Sequence, residues 1–509
     1  MTQLSRRDIL KLIALASASL AARPLASLLD RRADSSSPNV IVFLFDAWSG
    51  AHLMMNGYPR MTMPNLERFA DRCHVYHNHY SSGSFTVPGS ASLLTGLQPW
   101  EHRALQLTAG GVAPAHQSHN FFRVMNGSHH TLGYGQNPYA DIFLHQFRAD
   151  IETHLPQGLF NLENNHVATL PIFDNDYQVA FASFENNIFR NGKGASGSLY
   201  FGMLSRLAGL SRYAALRKER LREYPFGPPT ASGYFLLDAL ADGLIESMKQ
   251  FTSPTAAYFH LFPPHAPYTP TRDYATLFDD GWTPPEKPVH PLSRTRYSAA
   301  EMAKERQRYD QYLAAWDAEF ARVIESIAAS GLLDNSIVII TSDHGELFER
   351  GEIEHNTPVL ASPIVHVPLL ISLPGQTQRK DIHAFTSSID LLPTIAHLTG
   401  VEAPTWGEGR LLPELGGEED PDRPVFSMDG KSASSFAPIR PISISMIRQR
   451  HRLIYYAYPE YTAFEFYDLD ADPEEMTDLF PSAPSLAMQM KEELLQKMDD
   501  FNRPYQKKN

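Results

Sequence analysis

The stretch Asn39-Val40-Ile41-Val42-Phe43-Leu44-Phe45-Asp46 indicates the fold class, because it is apolar after its first residue and ends in a carboxylate. A short, continuous apolar run of this kind predicts a β-strand buried on both faces, as in a parallel sheet. Far downstream, Ser336-Ile337-Val338-Ile339-Ile340-Thr341 has the same character. Parallel strands need crossover connections, which are usually helices, so the two runs together predict an α/β fold.

Helical patterns lie between and after these runs, as an α/β fold requires. The helical stretches are Leu66–Arg72, Gly233–Gln250, Ala299–Ser330 and Ile389–Thr399. One further apolar strand is predicted at Val367–Ser372. We therefore predict a large, mostly parallel sheet flanked by helices over residues 38–400. The region Leu105–Ser232 is rich in Gly, Asn, His and aromatic residues, and we expect it to form loops and excursions rather than a separate domain.

The last hundred residues have a different pattern, with Pro- and Gly-rich loops from about Val401 onward. Short strands and a final helix are predicted at Ile442–Ile447, Arg452–Ala457, Phe464–Tyr467 and Ser485–Phe501. We interpret residues 401–509 as a smaller C-terminal α+β subdomain.

Composition excludes several function classes. The chain has 509 residues, with 44 basic and 57 acidic side chains and a net charge of −13. No Lys/Arg-rich run occurs in its body, so we expect no nucleic-acid partner. The chain contains one cysteine, Cys73, which rules out an internal disulfide framework and a multi-cysteine metal cluster.

The N-terminus resembles an export signal. Ser5-Arg6-Arg7-Asp8-Ile9-Leu10-Lys11 precedes a modest apolar run, Leu12–Ala22, that is short for a membrane-spanning helix. The basic pair and its flanks are similar to the twin-arginine signal pattern. Residues 1–32 are therefore expected to be a twin-arginine-type signal and linker, which implies a periplasmic or extracellular protein. Contact with a membrane is expected only through an uncleaved signal.

Two predicted strands end in groups that bind metals. Asp46 closes the first, and Asp343 and His344 follow the second. In an α/β sheet ligands bind at the carboxyl ends of the strands, so these three side chains are expected to converge on a cation. A lone strand-end aspartate is more often a turn residue or a helix cap, but the pair with an adjacent histidine is a stronger signal.

Between these strands, the segment Ser84–Pro99 is predicted to be a loop that enters a helix. Thr86 lies just ahead of the expected helix start, where free N–H groups and the helix dipole favour an anion. The alternative is that Thr86 only caps the helix, which is the common fate of such a residue.

At this point the sequence resembles the sulfatase branch of the alkaline phosphatase superfamily. The family's nucleophile motif, C-x-P-S-R followed by x-x-L-L-T-G, is similar in register to residues 86–96. Further similarities are Ser342–Glu346 to a metal-binding turn, Phe262–Tyr268 to the H-x-P-Y motif, and Asp390–Ile395 and Tyr467–Glu475 to structural signatures. The five matches run from about residue 39 to 480 in family order, so the resemblance implies an alkaline-phosphatase-like fold and a catalytic domain.

The sequence also departs from the family pattern. Thr86 stands where other sulfatases have the Cys or Ser that is oxidised to formylglycine, and a threonine cannot become that aldehyde. Ser90 replaces the motif arginine, and no lysine follows His344 before Val367. The family's lysine motif is not recognisable in residues 131–137. These differences favour phosphate or phosphonate esters, because phosphorus accepts a second in-line attack more readily than sulfur.

The resemblance and the donor chemistry together give the predicted site. Asp46, Thr86, Asp343 and His344 are expected to bind one divalent metal ion. Two carboxylates and one imidazole favour manganese or zinc, with calcium or magnesium possible. Thr86 is the expected nucleophile.

Three histidine assignments complete the predicted site. His265 is the expected general acid. His355, eleven residues past His344, is a candidate for contact with the substrate's leaving group or with a second metal. The cluster His74, His77 and His79 is interleaved with tyrosines and predicts a strand with a polar face rather than a metal site.

The favoured function is a metal-dependent hydrolase that cleaves a phosphate or phosphonate ester through a covalent Thr86 intermediate. The alternatives are a sulfuric ester hydrolase with an atypical nucleophile, a head-group transferase, and a catalytically inactive binding relative. The expected substrate is an anionic ester of a small molecule, glycan or lipid.

Overall fold

The computed structural model describes residues 37–106, 111–162, 214–231, 233–251 and 254–506. The predicted export signal at residues 1–32 lies outside these ranges. Among the described helices, none combines the length and the apolar character needed to cross a bilayer.

Two sheets and a short hairpin contain the described strands. In chain order the strands are β1 (Asn39–Asp46), β2 (His74–Tyr80), β3 (His130–Gly135), β4 (Thr153–His154), β5 (Thr255–Pro264), β6 (Ser336–Ser342), β7 (Phe348–Glu349), β8 (Glu352–Ile353), β9 (Leu369–Ser372), β10 (Lys380–Ser387), β11 (Val425–Asp429), β12 (Ile442–Arg448), β13 (His451–Tyr458) and β14 (Tyr461–Asp468). The main sheet has eight strands in the order β10-β2-β9-β6-β1-β5-β3-β4. Its neighbouring strands pair in parallel except at β9, which is antiparallel to β2 and β6.

The described α-helices cover the sheet and pack the C-terminal region. They are α1 (Pro64–Ala70), α2 (Thr86–Thr95), α3 (Pro99–His102), α4 (Phe121–Met125), α5 (Pro138–Gln146), α6 (Leu237–Met248), α7 (Ala299–Ala329), α8 (Ser362–Val365), α9 (Leu391–Thr399) and α10 (Ser485–Asn502). Helices α1, α6 and α7 pack in one apolar core, and α2, α4, α5 and α9 pack in another.

Strand β1 explains why the sheet is covered on both faces. Ile41, Phe43 and Phe45 belong to the first core, and Val40 and Leu44 belong to the second. Successive side chains of a strand point to opposite faces, so a continuous apolar run requires an apolar layer on each side. The prediction of a large, mostly parallel sheet flanked by helices is confirmed.

One part of the sequence interpretation is wrong. Residues 105–232 are expected to form loops and excursions rather than a separate domain, but their described part contributes α4, β3, α5 and β4 to the main domain. Residues 163–213, over which the same prediction was made, lie outside the described residues. Strand β3 pairs with β5 inside the sheet. Its short sequence, with two glycines and only one aliphatic side chain, lacks the apolar run that identified β1 and β6.

The C-terminal region forms a second, antiparallel sheet, β11-β12-β13-β14, with α10 packed against it. A buried ion pair fixes the segment that follows this sheet. Arg452 and Glu475 are nearly inaccessible to solvent, and Arg452 Nη1 donates to Glu475 Oε1 at 2.6 Å. The second Arg452 nitrogen, Nη2, donates to the Leu360 carbonyl at 2.8 Å, so the pair also joins the sheet to the main domain.

Glu475→Ala is expected to lower the free energy of unfolding by about 3–5 kcal/mol, because it leaves the buried Arg452 guanidinium without its carboxylate. The control is Asp470→Ala, which removes the partner of Arg450 in an exposed ion pair and should cost less than about 1 kcal/mol. Urea unfolding followed by circular dichroism measures both values. Equal losses in the two variants would contradict the assignment of Arg452 and Glu475 as a stabilising junction.

Candidate active site

Three parallel strands end side by side at one edge of the main sheet. Strand β1 pairs with β6 on one side and with β5 on the other. Its last residue, Asp46, therefore lies next to Asp343 and His344, which follow β6, and next to the end of β5. All three side chains are buried. The convergence expected from strand ends alone is present in the structure.

Thr86 is the first residue of α2, one position further into the helix than the sequence suggested, and Phe85 is the N-cap. The Thr86 side chain is buried, with 3% of its surface exposed. Its Oγ1 lies 3.4 Å from His344 Nε2 and 3.4 Å from Asn137 Nδ2. The first N–H groups of a helix have no intrahelical acceptor, so this hydroxyl sits where an anion is favoured.

His344 is oriented for ligation. Its Nδ1 donates to the Gly345 carbonyl at 2.9 Å, because a carbonyl oxygen can only accept. Nε2 lies 3.4 Å from Asp46 Oδ1 and 3.8 Å from Asp343 Oδ2. A histidine that donates one ring nitrogen to the backbone presents the other as a metal ligand.

Buried carboxylates and imidazoles shift one another's pKa values at this site. Burial raises the pKa of Asp46, but His265, His344 and His260 together outweigh burial and hold that pKa well below its usual range. Burial lowers the pKa of His344, but Asp343 and Asp46 outweigh it, so the pKa of His344 is raised. The buried carboxylates thus favour positive charge between them, which is the condition for binding a cation.

A buried carboxylate oxygen without a hydrogen-bond donor is consistent with a metal ligand at this site. Among the described residues, Asp46 Oδ1 has no hydrogen-bond donor although it is fully buried. Ligand atoms of Asp46, His260 and Asp343 lie within 4.8 Å of one another. Buried charges are paired or coordinate metals, so Asp46 and Asp343 suit a divalent cation, with His260 or His344 supplying an imidazole and Thr86 lying beside them.

Two residues of this site were missed by the sequence interpretation. Asn137 Nδ2 donates to Asp46 Oδ2 at 2.5 Å, while its Oδ1 accepts from Tyr139 N and caps α5. His260, within β5, has Nε2 3.2 Å from Asp343 Oδ2. A histidine inside an otherwise apolar strand was a usable signal for His260. Asn137 follows β3, a strand that was not recognised.

His265 and His355 lie together at this site. The two rings have centroids 5.0 Å apart, and the His355 ring lies 4.2 Å from that of His344. His265 Nδ1 donates to the Ala266 carbonyl at 2.6 Å, so Nε2 is the nitrogen left for proton transfer. His355 Nδ1 lies 2.9 Å from Glu346 Oε1. The structure therefore brings both sequence-predicted histidines to the site.

The C-terminal sheet reaches the loop that precedes Thr86. Ser84 Oγ donates to Asp429 Oδ2 at 2.8 Å at the end of β11. Lys431 Nζ lies 4.4 Å from the Phe85 ring centroid and 2.9 Å from Asn356 Oδ1. The subdomain thus supplies a cationic side chain near a site where the sequence analysis found no basic residue at the expected family positions.

Gly89→Ala is expected to lower activity and stability together. An added Cβ would lie 2.1 Å from the backbone oxygen of Asp343, so α2 must move away from the metal-binding turn. Overpacking of this kind costs about 1–3 kcal/mol or more. We expect kcat/KM to fall at least about tenfold, since small misplacement of reacting groups is costly.

Gly57→Ala is the matched control, because nothing lies within 4 Å of a Cβ added there. Its positive φ of 92° means that alanine there strains the backbone, so Gly57→Ala is expected to lose stability but to keep its kcat/KM. Steady-state kinetics and thermal melts of both variants separate the two effects. Unchanged kinetics for Gly89→Ala would contradict the close packing of α2, at Gly89, against Asp343.

Comparison with known proteins agrees with this geometry. The family model described as Sulfatase matches residues 38–401. The model described as N-sulphoglucosamine sulphohydrolase, C-terminal, matches residues 359–501. The choline-sulfatase of Rhizobium meliloti is 23% identical over 474 residues, covering 87% of this chain and 83% of the relative. The ulvan-active sulfatase of Formosa agariphila is 23% identical over 467 residues, covering 88% and 78%.

Solved structures share the fold across the whole domain. The phosphonate monoester hydrolase of Agrobacterium radiobacter aligns with a TM-score of 0.66 and 17% identity, covering 91% of this chain and 96% of that one. A 2-O GAG sulfatase aligns with a TM-score of 0.59 and 14% identity, covering 91% and 92%. The sulfatase family model spans most of the chain and includes the strands whose ends converge at the site. The protein therefore belongs to the sulfatase family of ester-bond hydrolases in the alkaline phosphatase superfamily.

Proposed function

We propose that this protein is a metal-dependent hydrolase of an anionic ester, with phosphate and phosphonate esters favoured, that works through a covalent intermediate on Thr86. The observation that carries the proposal is the position of the Thr86 hydroxyl. It lies at the start of α2, 3.4 Å from both His344 Nε2 and Asn137 Nδ2, beside the buried Asp46.

Asp46, Asp343 and His344 would hold one divalent cation together with Thr86 Oγ1. The mixture of carboxylates and imidazole favours manganese or zinc, with calcium or magnesium possible. Bound there, such a cation would lower the pKa of the Thr86 hydroxyl and neutralise charge that develops on the transferred group. His260 contacts Asp343 and would orient it.

In the first step, deprotonated Thr86 Oγ attacks phosphorus as the bond to the leaving oxygen breaks. His265, in its protonated form, donates a proton to that oxygen. Asn137 Nδ2 donates to Asp46 and lies within reach of Thr86 Oγ1. It would therefore hold the Thr86 hydroxyl in position beside the Asp46 carboxylate. His355 packs against both His344 and His265 and would contact the leaving group.

In the second step, water attacks phosphorus and the bond to Thr86 Oγ breaks. His265 accepts a proton from the water, and Thr86 leaves in the deprotonated form in which it began. Threonine needs this second in-line attack, whereas a formylglycine hydrate releases its group by elimination from carbon. The presence of Thr86 therefore favours phosphorus over sulfur as the electrophile.

A panel with one leaving group tests the substrate class. The 4-nitrophenyl esters of phosphate, a phosphonate and sulfate share their leaving group, so differences in kcat/KM report the transferred group alone. We expect the phosphonate or phosphate ester to be the best substrate. A higher kcat/KM for the sulfate would overturn this preference. Thr86→Ala enzyme purified in parallel measures contaminating activity.

Sulfuric ester hydrolysis is the second candidate function. The names of two relatives, choline-sulfatase and ulvan-active sulfatase, favour it. A head-group transferase is distinguished by product analysis, because it forms an acceptor ester instead of free phosphate. An inactive binding relative is distinguished by a lack of both turnover and bound metal.

The substrate is proposed to be an anionic ester of a small molecule, glycan or lipid. Lys431, beside Asn356 and Phe85, is placed to attract a second negative charge on such a substrate. Nucleic acid is not a proposed partner, since the chain carries a net charge of −13.

We further propose export through the twin-arginine-type signal at residues 1–32, to the periplasm or beyond. Arg6→Lys with Arg7→Lys is expected to leave the protein in the cytoplasm, because it removes the paired guanidinium groups that define the signal. Arg31→Lys with Arg32→Lys is the matched control and should be exported normally. Fractionation of expressing cells measures the distribution. Export of the Arg6/Arg7 variant at the normal level would contradict the signal type.

A further inference from the structure

A second group of metal-ligand side chains lies outside the catalytic residues. Asp141 and His145 are one turn apart on α5, and His154 lies on the edge strand β4. Their exposed fractions are 0% for Asp141, 11% for His145 and 6% for His154. One buried carboxylate is therefore approached by two largely buried imidazoles from two different elements.

The ligand atoms are arranged as a metal would require. His154 Nε2 lies 3.0 Å from Asp141 Oδ1, and His145 Nε2 lies 3.3 Å from Asp141 Oδ2. One ligand atom from each of the three residues falls within 4.8 Å of the others. Neighbouring ligands of a tetrahedral zinc ion, with bonds of about 2.0–2.1 Å, lie about 3.3 Å apart. The two imidazole rings are in contact, with centroids 4.7 Å apart and planes inclined at 75°.

We propose that Asp141, His145 and His154 form a second metal-binding site, for a zinc-type divalent transition metal, separate from the catalytic cation. Two imidazole nitrogens and a carboxylate oxygen are a donor set for such ions, with water completing the coordination.

The cluster of Asp141, His145 and His154 lies on a helix whose N-terminus reaches the active site. Helix α5 is packed closely on β3, since a Cβ added at Gly135 would lie 3.0 Å from the Asp141 Cα. The same helix begins beside its N-cap Asn137, which donates to Asp46. A metal bound by Asp141, His145 and His154 would tie the edge strand to this helix and so hold Asn137 in the active site.

Zinc binding by the full-length chain carrying Asp46→Asn and Asp343→Asn tests the site, because those changes remove the catalytic carboxylate ligands. After dialysis against zinc and then buffer, we expect about one zinc per chain by elemental analysis. Adding His145→Gln and His154→Gln should abolish this zinc. Glutamine still donates a hydrogen bond to Asp141, so loss of zinc without loss of the circular dichroism spectrum identifies the imidazoles as ligands.

His130→Gln in the same background is the matched control. His130 pairs with Glu152 at 2.6 Å near the same sheet edge but has no place in the cluster, so this variant should keep its zinc. A parent chain without zinc, or zinc retained after both cluster substitutions, would overturn the proposal. The visible spectrum of cobalt added to the chain carrying Asp46→Asn and Asp343→Asn is a second readout, and it needs no substitution in the cluster. Strong visible absorption of a low-coordinate ion supports the site, and the weak spectrum of the aquo ion overturns it.

The outcome is independent of the proposed hydrolase activity. The catalytic carboxylate ligands are removed in every chain compared, so an inactive wild-type enzyme would leave this result unchanged. Conversely, loss of the second site would leave the assignment of Thr86 untouched.

Discussion

Thr86→Ala is expected to lower kcat by at least about a thousandfold, because it removes the oxygen that receives the transferred group. Asp46, Asp343 and His344 remain, so the variant should keep much of its bound metal. Thr86→Ser is the matched control. It preserves a hydroxyl at the start of α2 and should keep turnover within about a hundredfold of the wild type.

Kinetics with the best substrate, together with metal content and thermal melts of each variant, separate loss of chemistry from loss of fold. Thr86 is only 3% exposed, so a small loss of stability on removing its side chain is compatible with the account. Wild-type kcat in folded Thr86→Ala protein would rule out a nucleophilic role for this residue.

Removal of the cation is the second change with a large expected effect. Dialysis against a chelator should lower kcat at least about a thousandfold, and added manganese or zinc should restore it. Asp343→Asn should prevent that recovery at the same metal concentration, since it weakens a carboxylate ligand and leaves His260 and His344 around a neutral amide.

Asp317→Asn is the control for replacing a buried carboxylate elsewhere. Asp317 accepts backbone N–H groups from Asn65 and Leu66, and burial raises its pKa to about 6. Its replacement should leave metal content and reactivation unchanged. Full activity of the chelated enzyme, verified free of metal, would contradict the metal-dependent account.

The parts of the fold and site that could be predicted are those marked by a pattern in consecutive residues. The apolar run of β1 predicted a strand covered on both faces, and the structure places alternate side chains in two cores. The carboxyl-end rule then predicted that Asp46 would meet Asp343 and His344, because parallel strands that pair also end together. Thr86 joined them through the motif register, although the helix begins one residue earlier than expected.

The positions of Asn137 and Lys431 depend on contacts that no local pattern encodes. Asn137 reaches Asp46 only because β3 is inserted beside β5, and β3 has too few apolar residues to identify. Lys431 lies in the turn after β11, 345 residues after Thr86 in the chain, and its position depends on how the C-terminal sheet packs near Phe85. Such pairings are set by tertiary packing and could not be predicted from spacing.

Trapping the covalent intermediate shows whether Thr86 receives the transferred group. Enzyme mixed with excess phosphonate or phosphate ester is quenched in acid during turnover, digested and analysed by mass spectrometry. The account predicts a phosphonyl or phosphoryl group on the peptide containing Thr86, formed in the wild type and in Thr86→Ser but not in Thr86→Ala. An adduct on another residue, or the same adduct in Thr86→Ala, would contradict it.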